Sequence, residues 1–275
     1  MFADLHLHSI YSDGTDTSDE LISLAVEHGI SVISIADHDS ISAYENITNT
    51  GDSNVTVIPA VEISTILEHS YLHMLGYHIN VHSEALAAYI QKVSDEKTEN
   101  TRINFENAVE LGCFNYEWER VLELNINQPR ISGVHVVKAM QEDEYSISRM
   151  VLWDMFHKYF WAESSDFIPT ETATAYDAID IIKRAGGIPV IAHPKSIGND
   201  NVVVDLIEYG ALGLEVFHPI HTSGDIMKYQ QIADSKGIYI TGGTDWHGKN
   251  NGAEITCFGM CGLENDKYPI LSITQ

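Results

Sequence analysis

The sequence contains few cysteines, and they do not form the pattern of a disulfide framework. Its 275 residues include 3 cysteines, Cys113, Cys257 and Cys261, which is an odd number. Cys257 and Cys261 lack the second pair that a zinc ribbon needs. This usage excludes a small disulfide-rich secreted fold and a thiolate zinc module. We therefore expect a reduced, cytoplasmic setting.

Basic residues are also scarce. Lys and Arg total 15 against 40 Asp and Glu, so the formal net charge is -25 with histidine neutral. A charge of that sign repels the phosphate backbone and argues against sequence-independent binding to long nucleic acid. A small anionic ligand remains compatible with it if bound metal ions supply local positive charge.

Long apolar runs are missing too. No stretch approaches the roughly 18 apolar residues of a membrane-spanning helix. The first residues, MFADLHLHS, contain neither a basic region nor an apolar signal core. We expect a soluble protein without a membrane segment, and nothing in the sequence points to an obligate protein partner.

Short β-branched runs alternate with amphipathic helical segments, which is typical of βα units and a mostly parallel sheet. The predicted strands are Phe2 to His8, Ser31 to Ala36, Val55 to Ile63, Leu72 to His78, Ile188 to Ala192, Gly213 to Phe217 and Ile238 to Thr241. The predicted helices between them are Ser18 to His28, Tyr176 to Ala185, Asn201 to Tyr209 and Asp225 to Lys236. A chain of 275 residues suits one α/β barrel with an insertion.

The strand rhythm stops between residues 83 and 174, where the pattern is that of consecutive amphipathic helices. Aromatic residues at helical spacing there favour a packed core over a cofactor site. They are Phe105, Trp118, Trp153, Phe156, Tyr159 and Trp161. We predict a helical cap, residues 83–174, inserted into a catalytic domain of residues 1–82 and 175–275. Lys267 to Gln275 should form a short closing strand or tail.

The chain has 14 histidines, and several of them end apolar runs. His6 and His8 alternate on the first predicted strand, so both side chains point to one face and can reach a common ion. Asp4 has the same parity and could join or orient them, and Asp13 follows in a polar turn. An HxH pair alone is weak evidence, because two half-exposed strand histidines give the same pattern.

Several other predicted strands end on the same residue types, for example at Asp37-His38-Asp39. The carboxyl ends of parallel strands are where sites are built, and unpaired burial of so many such groups would cost several kcal/mol apiece. Shared divalent cations would make their convergence favourable, and a thiolate-free set suits Mn²⁺, Fe²⁺ or Zn²⁺. The predicted ligands are His6, His8, Asp13, His38, Glu62, His73, His193, Asp245 and His247. Asp37 and Asp39 should orient the imidazoles.

Five motifs carry a family resemblance: DLHLHSIYSDG, ADHDS, AVEIS, IAHP and TGGTDWHG, in that order. They resemble those of the polymerase and histidinol phosphatase (PHP) family, over about residues 1 to 80 and 177 to 255. The resemblance implies a distorted (β/α)7 barrel, phosphoesterase activity and a trinuclear metal centre, with manganese the first choice of ion. The ligand sets it implies are His6, His8, Glu62 and Asp245; Glu62, His73 and His193; and Asp13, His38 and His247.

Within the family, the chain looks most like bacterial phosphoesterases that remove the 3′-phosphate from nucleoside 3′,5′-bisphosphates, some of which trim short RNA from its 5′ end. Such relatives carry an Arg-Pro-His-like element in the insertion, where this chain has PRISGVH at residues 129–135. If His135 matches the motif histidine, Gly133 replaces the arginine. If Arg130 keeps the role, the loop has another shape.

The expected reaction is hydrolysis by a metal-bridging hydroxide, with Asp13 among the catalytic residues. His218 or His221 would protonate or stabilise the leaving oxygen, and His221 is also a candidate for substrate contact. Arg130 and Lys195 are the predicted phosphate clamp, because the guanidinium and ammonium groups are the usual phosphate partners. Lys138 is a third, weaker candidate.

Three alternatives remain open. Within the family, the substrate could be histidinol phosphate or another sugar or alcohol phosphate. An amidohydrolase of similar fold would cleave C–N bonds, often with a carbamylated lysine ligand, yet no lysine ends a predicted strand. A non-catalytic metal-binding domain is the third alternative, and the full ligand set weighs against it.

Overall fold

The computed structural model describes residues 2–48, 54–67, 70–144, 149–161, 164–249, 257–264 and 267–273. Its strands are β1 (Ala3–Leu7), β2 (Val32–Ile35), β3 (Thr56–Val57), β4 (Ala60–Leu67), β5 (Ser70–Tyr77), β6 (Ile188–Ile191), β7 (Gly213–Phe217) and β8 (Tyr239–Gly242). Its helices are α1 (Ser18–Glu27), α2 (Glu84–Glu110), α3 (Trp118–Leu124), α4 (Gly133–Glu142), α5 (Arg149–Tyr159), α6 (Ala175–Arg184), α7 (Asp200–Tyr209) and α8 (Ser223–Lys236).

The strands form two sheets. One has the order β1-β2-β3 with parallel pairing, and the other has the order β4-β5-β6-β7-β8. In the second sheet β5 pairs antiparallel with both β4 and β6, whereas β6, β7 and β8 are parallel. Isolated bridges join Leu7 to Trp246 and His38 to Glu62 at the ends of the sheets. The fold is therefore α/β, and these bridges bring the ends of β1, β2, β4 and β8 together.

The prediction of one strand from Val55 to Ile63 is wrong. The chain forms the two-residue β3 and then, after Pro59, the separate strand β4. Proline has no backbone N–H for a strand ladder, so a break at this position is expected. The break lets β3 pair with β2 while β4 forms an antiparallel hairpin with β5, which the parallel βα pattern did not predict.

Side-chain caps define most of the helices on the sheets. Thr17 and Glu20 form a capping box at α1, Thr174 and Asp177 form one at α6, and Thr222 and Asp225 form one at α8. Each pair satisfies N–H groups that the first helical turn leaves free. The apolar faces of α6, α7 and α8 pack on the second sheet around Ile179, Leu206 and Tyr229.

Helices α2, α3, α4 and α5 follow β5 and share an aromatic core of their own around Phe105, Phe156 and Tyr159. At the other end of the chain, Leu263 pairs antiparallel with Ala3, and Pro269–Ser272 forms a 3-10 turn. Within the described part of Lys267 to Gln275 there is therefore no closing strand, and of the two predicted alternatives the structure agrees with the tail. No helix among the described residues is long and apolar enough to cross a membrane.

Candidate metal centre

Glu62 lies at the centre of the site, on β4, with no exposed surface. Its two carboxylate oxygens face five imidazoles. Oε1 lies 3.0 Å from His73 Nδ1 and 3.1 Å from His193 Nε2; Oε2 lies 3.2 Å from His6 Nε2, 3.3 Å from His8 Nε2 and 3.0 Å from His38 Nδ1. One carboxylate therefore connects residues from β1, β2, β5 and β6, as a bridging ligand would.

Two further carboxylates flank this centre. Asp245 Oδ1 lies 3.0 Å from His8 Nε2 and 3.5 Å from His6 Nε2. On the other side Asp13 Oδ1 lies 3.2 Å from His247 Nε2 and 4.0 Å from His8 Nδ1. Among the described residues, four clusters have ligand atoms within 4.8 Å of one another: His6, His8, Glu62 and Asp245; His38, Glu62 and His73; His8, Asp13, His38 and His247; and His6, Glu215 and His218.

All nine residues predicted as ligands thus come together, and the clusters differ little from the sets that the resemblance implied. His38 lies beside Glu62 and His73 as well as beside Asp13 and His247. His193 is in contact with Glu62. The shared positions of His38 and Glu62 mean that neighbouring clusters are not independent.

The donor atoms fit divalent cations better than they fit one another. Six of them are buried and have no hydrogen-bond partner in the described part of the chain: His6 Nε2, His8 Nε2, Asp13 Oδ1, His38 Nδ1, Glu62 Oε2 and His73 Nδ1. Short distances without hydrogen-bond geometry mean that the atoms converge on common points and are not paired with each other. Burying polar atoms in this way is costly, and a bound cation would offset the cost.

Outer hydrogen bonds fix the tautomers in the sense that metal binding needs. His6 Nδ1 lies 2.9 Å from Glu215 Oε1, which accepts its proton. His193 Nδ1 donates to Ser196 Oγ at 2.9 Å, and His247 Nδ1 donates to the Asp245 carbonyl at 2.9 Å. In each ring the other nitrogen, Nε2, then presents a lone pair to the centre.

The short distances between these buried groups also shift their pKa values. Burial opposes a charge on His8, but Asp245 and Glu62 outweigh it and raise the His8 pKa to about 10. Burial also opposes ionisation of Glu62, yet His38, His6 and His73 hold the pKa of that carboxyl well below its usual range. The carboxylates are therefore ionised, so cations can displace the protons that the imidazoles carry.

Glu215 is the principal site residue that the sequence did not predict. It is fully buried on β7, accepts from His6 Nδ1 and receives the His193 backbone N–H on Oε2 at 2.7 Å. An acidic residue inside the apolar run LGLEVF was the available signal, because such a residue is rarely buried without a partner.

Asp4, Asp37 and Asp39 support the loops of the site. Asp4 accepts from the Thr244 N–H at 2.9 Å and the Thr244 hydroxyl at 2.6 Å, so it holds the turn that carries Asp245. The prediction that Asp37 and Asp39 orient imidazoles holds only indirectly for Asp37, which accepts from Ser12 Oγ at 2.5 Å while that oxygen lies 3.5 Å from His8 Nδ1, and it is wrong for Asp39. Asp37 binds the Ser9 N–H at 2.7 Å and the Ser9 hydroxyl at 2.6 Å, and Asp39 binds the Ser64 N–H at 2.7 Å.

Strained backbone marks the same loops. Asp39, His193 and Asp245 adopt positive φ angles of 48°, 24° and 52°. Residues other than glycine adopt positive φ angles at a cost of about 1–3 kcal/mol. Residues strained in this way cluster at functional sites. Each of these three turns directs a ligand or its neighbour into the centre.

The two histidines predicted to protonate the leaving oxygen each use Nδ1 in a local hydrogen bond, and the Nε2 atom of each is buried without a hydrogen-bond partner among the described residues. His218 Nδ1 accepts the Ile220 N–H at 3.3 Å, which leaves its proton on Nε2, 3.4 Å from Asp245 Oδ2. His221 donates from Nδ1 to the Val216 carbonyl at 2.9 Å, and burial lowers its pKa. His218 Nε2 therefore faces Asp245, and the role of His218 or His221 towards the leaving oxygen stays a prediction.

A cavity of about 250 Å³ opens beside the cluster. Its lining includes Asp13, His38, His73 and His193, and also Phe156, Phe160 and Trp161 from α5 and the residues after it. Tyr71, Leu72 and Lys97 also line it. The cavity therefore connects the candidate metal centre to an aromatic wall.

Of the predicted phosphate contacts, Arg130 lies in this cavity and Lys195 does not. Arg130 is only 3% exposed; its Nη1 donates to Asp39 Oδ2 at 2.8 Å, and its Nε is buried with no hydrogen-bond partner among the described residues. Lys195 Nζ instead binds the Ile220 carbonyl at 2.9 Å and Asp225 Oδ2 at 2.9 Å. The ammonium of Lys195 is therefore committed to the start of α8.

The structure also answers which residue of the 129–135 loop faces the cavity. His135 accepts the Ser132 N–H on Nδ1 at 3.0 Å and donates from Nε2 to the Ser12 carbonyl at 2.9 Å, away from the cavity. Gly133 lines the cavity, as does Arg130. Arg130 therefore places a guanidinium group at the cavity. His135 instead connects α4 to the loop before Asp13.

Comparison with known proteins gives a consistent set of relatives. A family model described as PHP domain matches residues 4–164. The chain is 28% identical over 253 residues to the phosphoribosyl 1,2-cyclic phosphate 1,2-diphosphodiesterase of Eggerthella lenta, covering 90% of this chain and 95% of the relative. It is 28% identical over 258 residues to the 3′,5′-nucleoside bisphosphate phosphatase of Chromobacterium violaceum, covering 90% and 88%.

A third relative is a 5′-3′ exoribonuclease of Salmonella typhimurium, 30% identical over 195 residues, which covers 70% of this chain and 64% of the relative. Among solved structures, an amidohydrolase from Chromobacterium violaceum with bound sulfate superposes with a TM-score of 0.81 at 25% identity, covering 98% of this chain and 93% of that one.

Proposed function

The chain belongs to the PHP family and is a metal-dependent hydrolase of phosphoester bonds, and from that premise we propose that it removes the 3′-phosphate of nucleoside 3′,5′-bisphosphates. One observation carries the proposal: a single cavity joins the Glu62-centred cluster, the Arg130 guanidinium and an aromatic wall. A substrate that matches it has a scissile phosphate, a second anionic group and a flat apolar group, as a phosphorylated nucleotide does.

We propose that the cluster holds three divalent ions, with Mn²⁺ the first choice and Fe²⁺ or Zn²⁺ the others. His6, His8, Glu62 and Asp245 would hold one, Glu62, His73 and His193 a second, and Asp13, His38 and His247 a third. When bound, such ions lower the pKa of a shared water and neutralise charge on phosphoryl oxygens. The protein supplies buried, pre-oriented lone pairs, and His218 keeps Asp245 in place.

Arg130 is the proposed contact for the second phosphate. Asp39 and Ser64 hold its Nη1, at 2.8 and 3.3 Å, so the side chain is placed before the substrate arrives. The adjacent start of α4, at Ser132 and Gly133, also lines the cavity, and the first turn of a helix favours an anion. The Lys195 ammonium is bound to the Ile220 carbonyl and Asp225, so Arg130 is the proposed phosphate clamp and His221 stays a candidate for substrate contact.

The cap is proposed to select the substrate. Residues 83–174 would form it, over a distorted (β/α)7 barrel of residues 1–82 and 175–275. Phe156, Phe160 and Trp161 would stack on the nucleobase, which contributes about 1–3 kcal/mol per base in comparable sites. A ribose phosphate without a base would forgo that contribution.

The test is a phosphate-release panel on the manganese-loaded protein. It contains nucleoside 3′,5′-bisphosphates, a phosphoribosyl 1,2-cyclic phosphate, short 5′-phosphorylated RNA, histidinol phosphate and simple sugar phosphates. We expect the highest kcat/KM for the bisphosphates. A clear preference for the base-free cyclic phosphate or for RNA would overturn the substrate and leave the phosphoester chemistry intact.

A further inference from the structure

Three cap side chains hold the loop that carries Asp13. Gln128 Nε2 donates to the Ile10 carbonyl at 3.0 Å, His135 Nε2 donates to the Ser12 carbonyl at 2.9 Å, and Lys138 Nζ donates to the Asp13 carbonyl at 2.6 Å. His135 and Lys138 lie one turn apart on α4, so one face of that helix delivers two of the three donors. The backbone before and at Asp13 therefore depends on the cap.

The cap also holds the loop that carries His38. Ser94 Oγ on α2 donates to the Asp39 carbonyl at 3.0 Å, and Arg130 Nη1 binds the Asp39 carboxylate at 2.8 Å. Asp39 is one of the residues with positive φ, a conformation that needs support from its surroundings. The residue that follows His38 is thus fixed from the cap side.

The other proposed ligands depend on the sheets. Glu62 and His73 lie on the paired strands β4 and β5. The turn at Asp245 is held by Asp4 on β1, and His193 by Glu215 on β7. The third proposed ion is therefore the one with two of its ligands, Asp13 and His38, on loops that the cap supports.

We infer that the cap sets the affinity of the third ion, with His135 and Gln128 as positioning residues that act through the Asp13 loop. The inference rests on the three-ion centre of the proposed function. Side chains that orient metal ligands typically change affinity by about 10–100-fold. When the cap no longer holds the Asp13 loop, the third ion should be lost. The two ions around Glu62 should remain bound.

Neutral donors give the clearest test, because the ammonium of Lys138 also repels a cation and its removal would act in both directions. His135→Leu removes the donor to Ser12, and His135→Gln keeps a donor of similar reach. Gln128→Met removes the donor to Ile10 in a nearly isosteric way. His157→Leu is the matched control for metal binding, since His157 is exposed on α5 and its contacts among the described residues, a hydrogen bond to the Trp153 carbonyl and ring contacts with Phe156 and Trp161, do not include the Asp13 loop.

The measurement is Mn²⁺ binding to each full-length variant by equilibrium dialysis with elemental analysis, together with thermal unfolding. We expect three ions in the wild type. In His135→Leu and Gln128→Met we expect two ions held as in the wild type and one weakened by about 10–100-fold. His135→Gln and the control should resemble the wild type.

Three outcomes would overturn the inference: unchanged binding of all three ions, equal weakening of all three in folded variants, or a loss in His135→Gln as large as in His135→Leu. A wild type that binds fewer than three ions would contradict the centre itself. Three-ion binding without turnover of bisphosphates would contradict only the substrate, so the two proposals fail in different ways.

Discussion

The chemistry of single residues depends on how the site distributes charge and lone pairs. Glu62 is in contact with five imidazoles, three of them at Oε2, and an isolated buried carboxylate would not tolerate that position without cations or protons nearby. Glu215, Ser196 and the Asp245 carbonyl take the outer ring protons of three histidines. The supporting groups therefore leave the inner ring nitrogens of these histidines available to a cation.

Glu62→Gln tests the bridging role. The amide keeps the volume but loses the charge and one acceptor, so we expect loss of at least two of the bound ions. Because supporting residues alone cost about 10–100-fold, kcat/KM should fall by at least about 100-fold. Elemental analysis and phosphate release measure the two effects, and a variant with normal metal content would exclude a bridging ligand at this position.

Trp161→Ala tests the aromatic wall with little risk to the fold, because Trp161 is 46% exposed. Loss of stacking should raise KM for a nucleoside bisphosphate by about 5–150-fold, which corresponds to about 1–3 kcal/mol. The KM for a base-free ribose phosphate should stay unchanged. Equal effects on both substrates would show that the ring does not contact a base.

At the scale of helices and loops, helix α4 connects the helical segment of residues 83–174 to the loops of the candidate metal centre. Its first residue, Gly133, lies against the aromatic wall, where a Cβ atom would stand 2.4 Å from Phe160 Cβ and 3.0 Å from Phe156 Cε2. The absence of a side chain at Gly133 thus allows α4 and the end of α5 to approach closely. That approach forms one side of the cavity.

Gly133→Ala should force these elements apart. Overpacking of this kind destabilises a protein by about 1–3 kcal/mol. We therefore expect a lower melting temperature and a higher KM for the nucleotide. Gly224→Ala is the matched control, because the nearest atom to its added Cβ is Thr222 Oγ1 at 3.7 Å. If Gly133→Ala had the same melting temperature as the control, the close approach of α4 and α5 would not contribute to stability.

His135 makes cap docking sensitive to acid. Burial, reinforced by Arg130, lowers its pKa from 6.5 to about 4. The unfolded state therefore takes up a proton first as the pH falls, and the stabilisation is full above about pH 6.5 and lost towards about pH 4. The difference corresponds to about 3 kcal/mol in the free energy of unfolding.

His135→Gln removes this titration and retains a donor for the Ser12 carbonyl. Urea unfolding at several pH values between about 7 and 4 should therefore show a shallower loss of stability in the variant than in the wild type. Parallel pH profiles would mean that His135 does not titrate in this range. The comparison cancels the other acidic and imidazole groups that both proteins share.

At the scale of the whole molecule, the negative net charge is related to the candidate metal centre. A net charge of -25 disfavours long anionic partners and makes the protein depend on bound cations for local positive potential. In the described structure the carboxylates and imidazoles of the candidate metal centre converge in neighbouring clusters. Metal binding should therefore stabilise the entire fold.

Metal removal tests this. One ion at a free concentration 100 times its Kd contributes about 2.7 kcal/mol, which shifts the melting temperature of a chain of this size by about 5–10 °C. Calorimetry with chelator and then with added Mn²⁺ should show the shift and its recovery. Glu62→Gln should show a much smaller response, and an equal response would assign the stabilising ions to another site.

The sequence by itself predicted the α/β class, most element positions and all nine residues that converge at the centre. These features follow from local patterns, since an apolar run that ends in His, Asp or Glu shows both a strand and its polar end. The broken strand at Pro59 and the buried Glu215 also left local signals, although neither was interpreted correctly.

Only the tertiary structure decided which groups meet across the chain. Arg130 reaches Asp39 over 91 positions and His135 reaches Ser12 over 123, whereas Lys195 is bound elsewhere. The histidine tautomers, the hairpin of β4 with β5 and the support of the Asp13 loop by the cap depend on such contacts. Residue types specify what each group can bind, but a hydrogen bond depends on distances and angles that folding alone establishes.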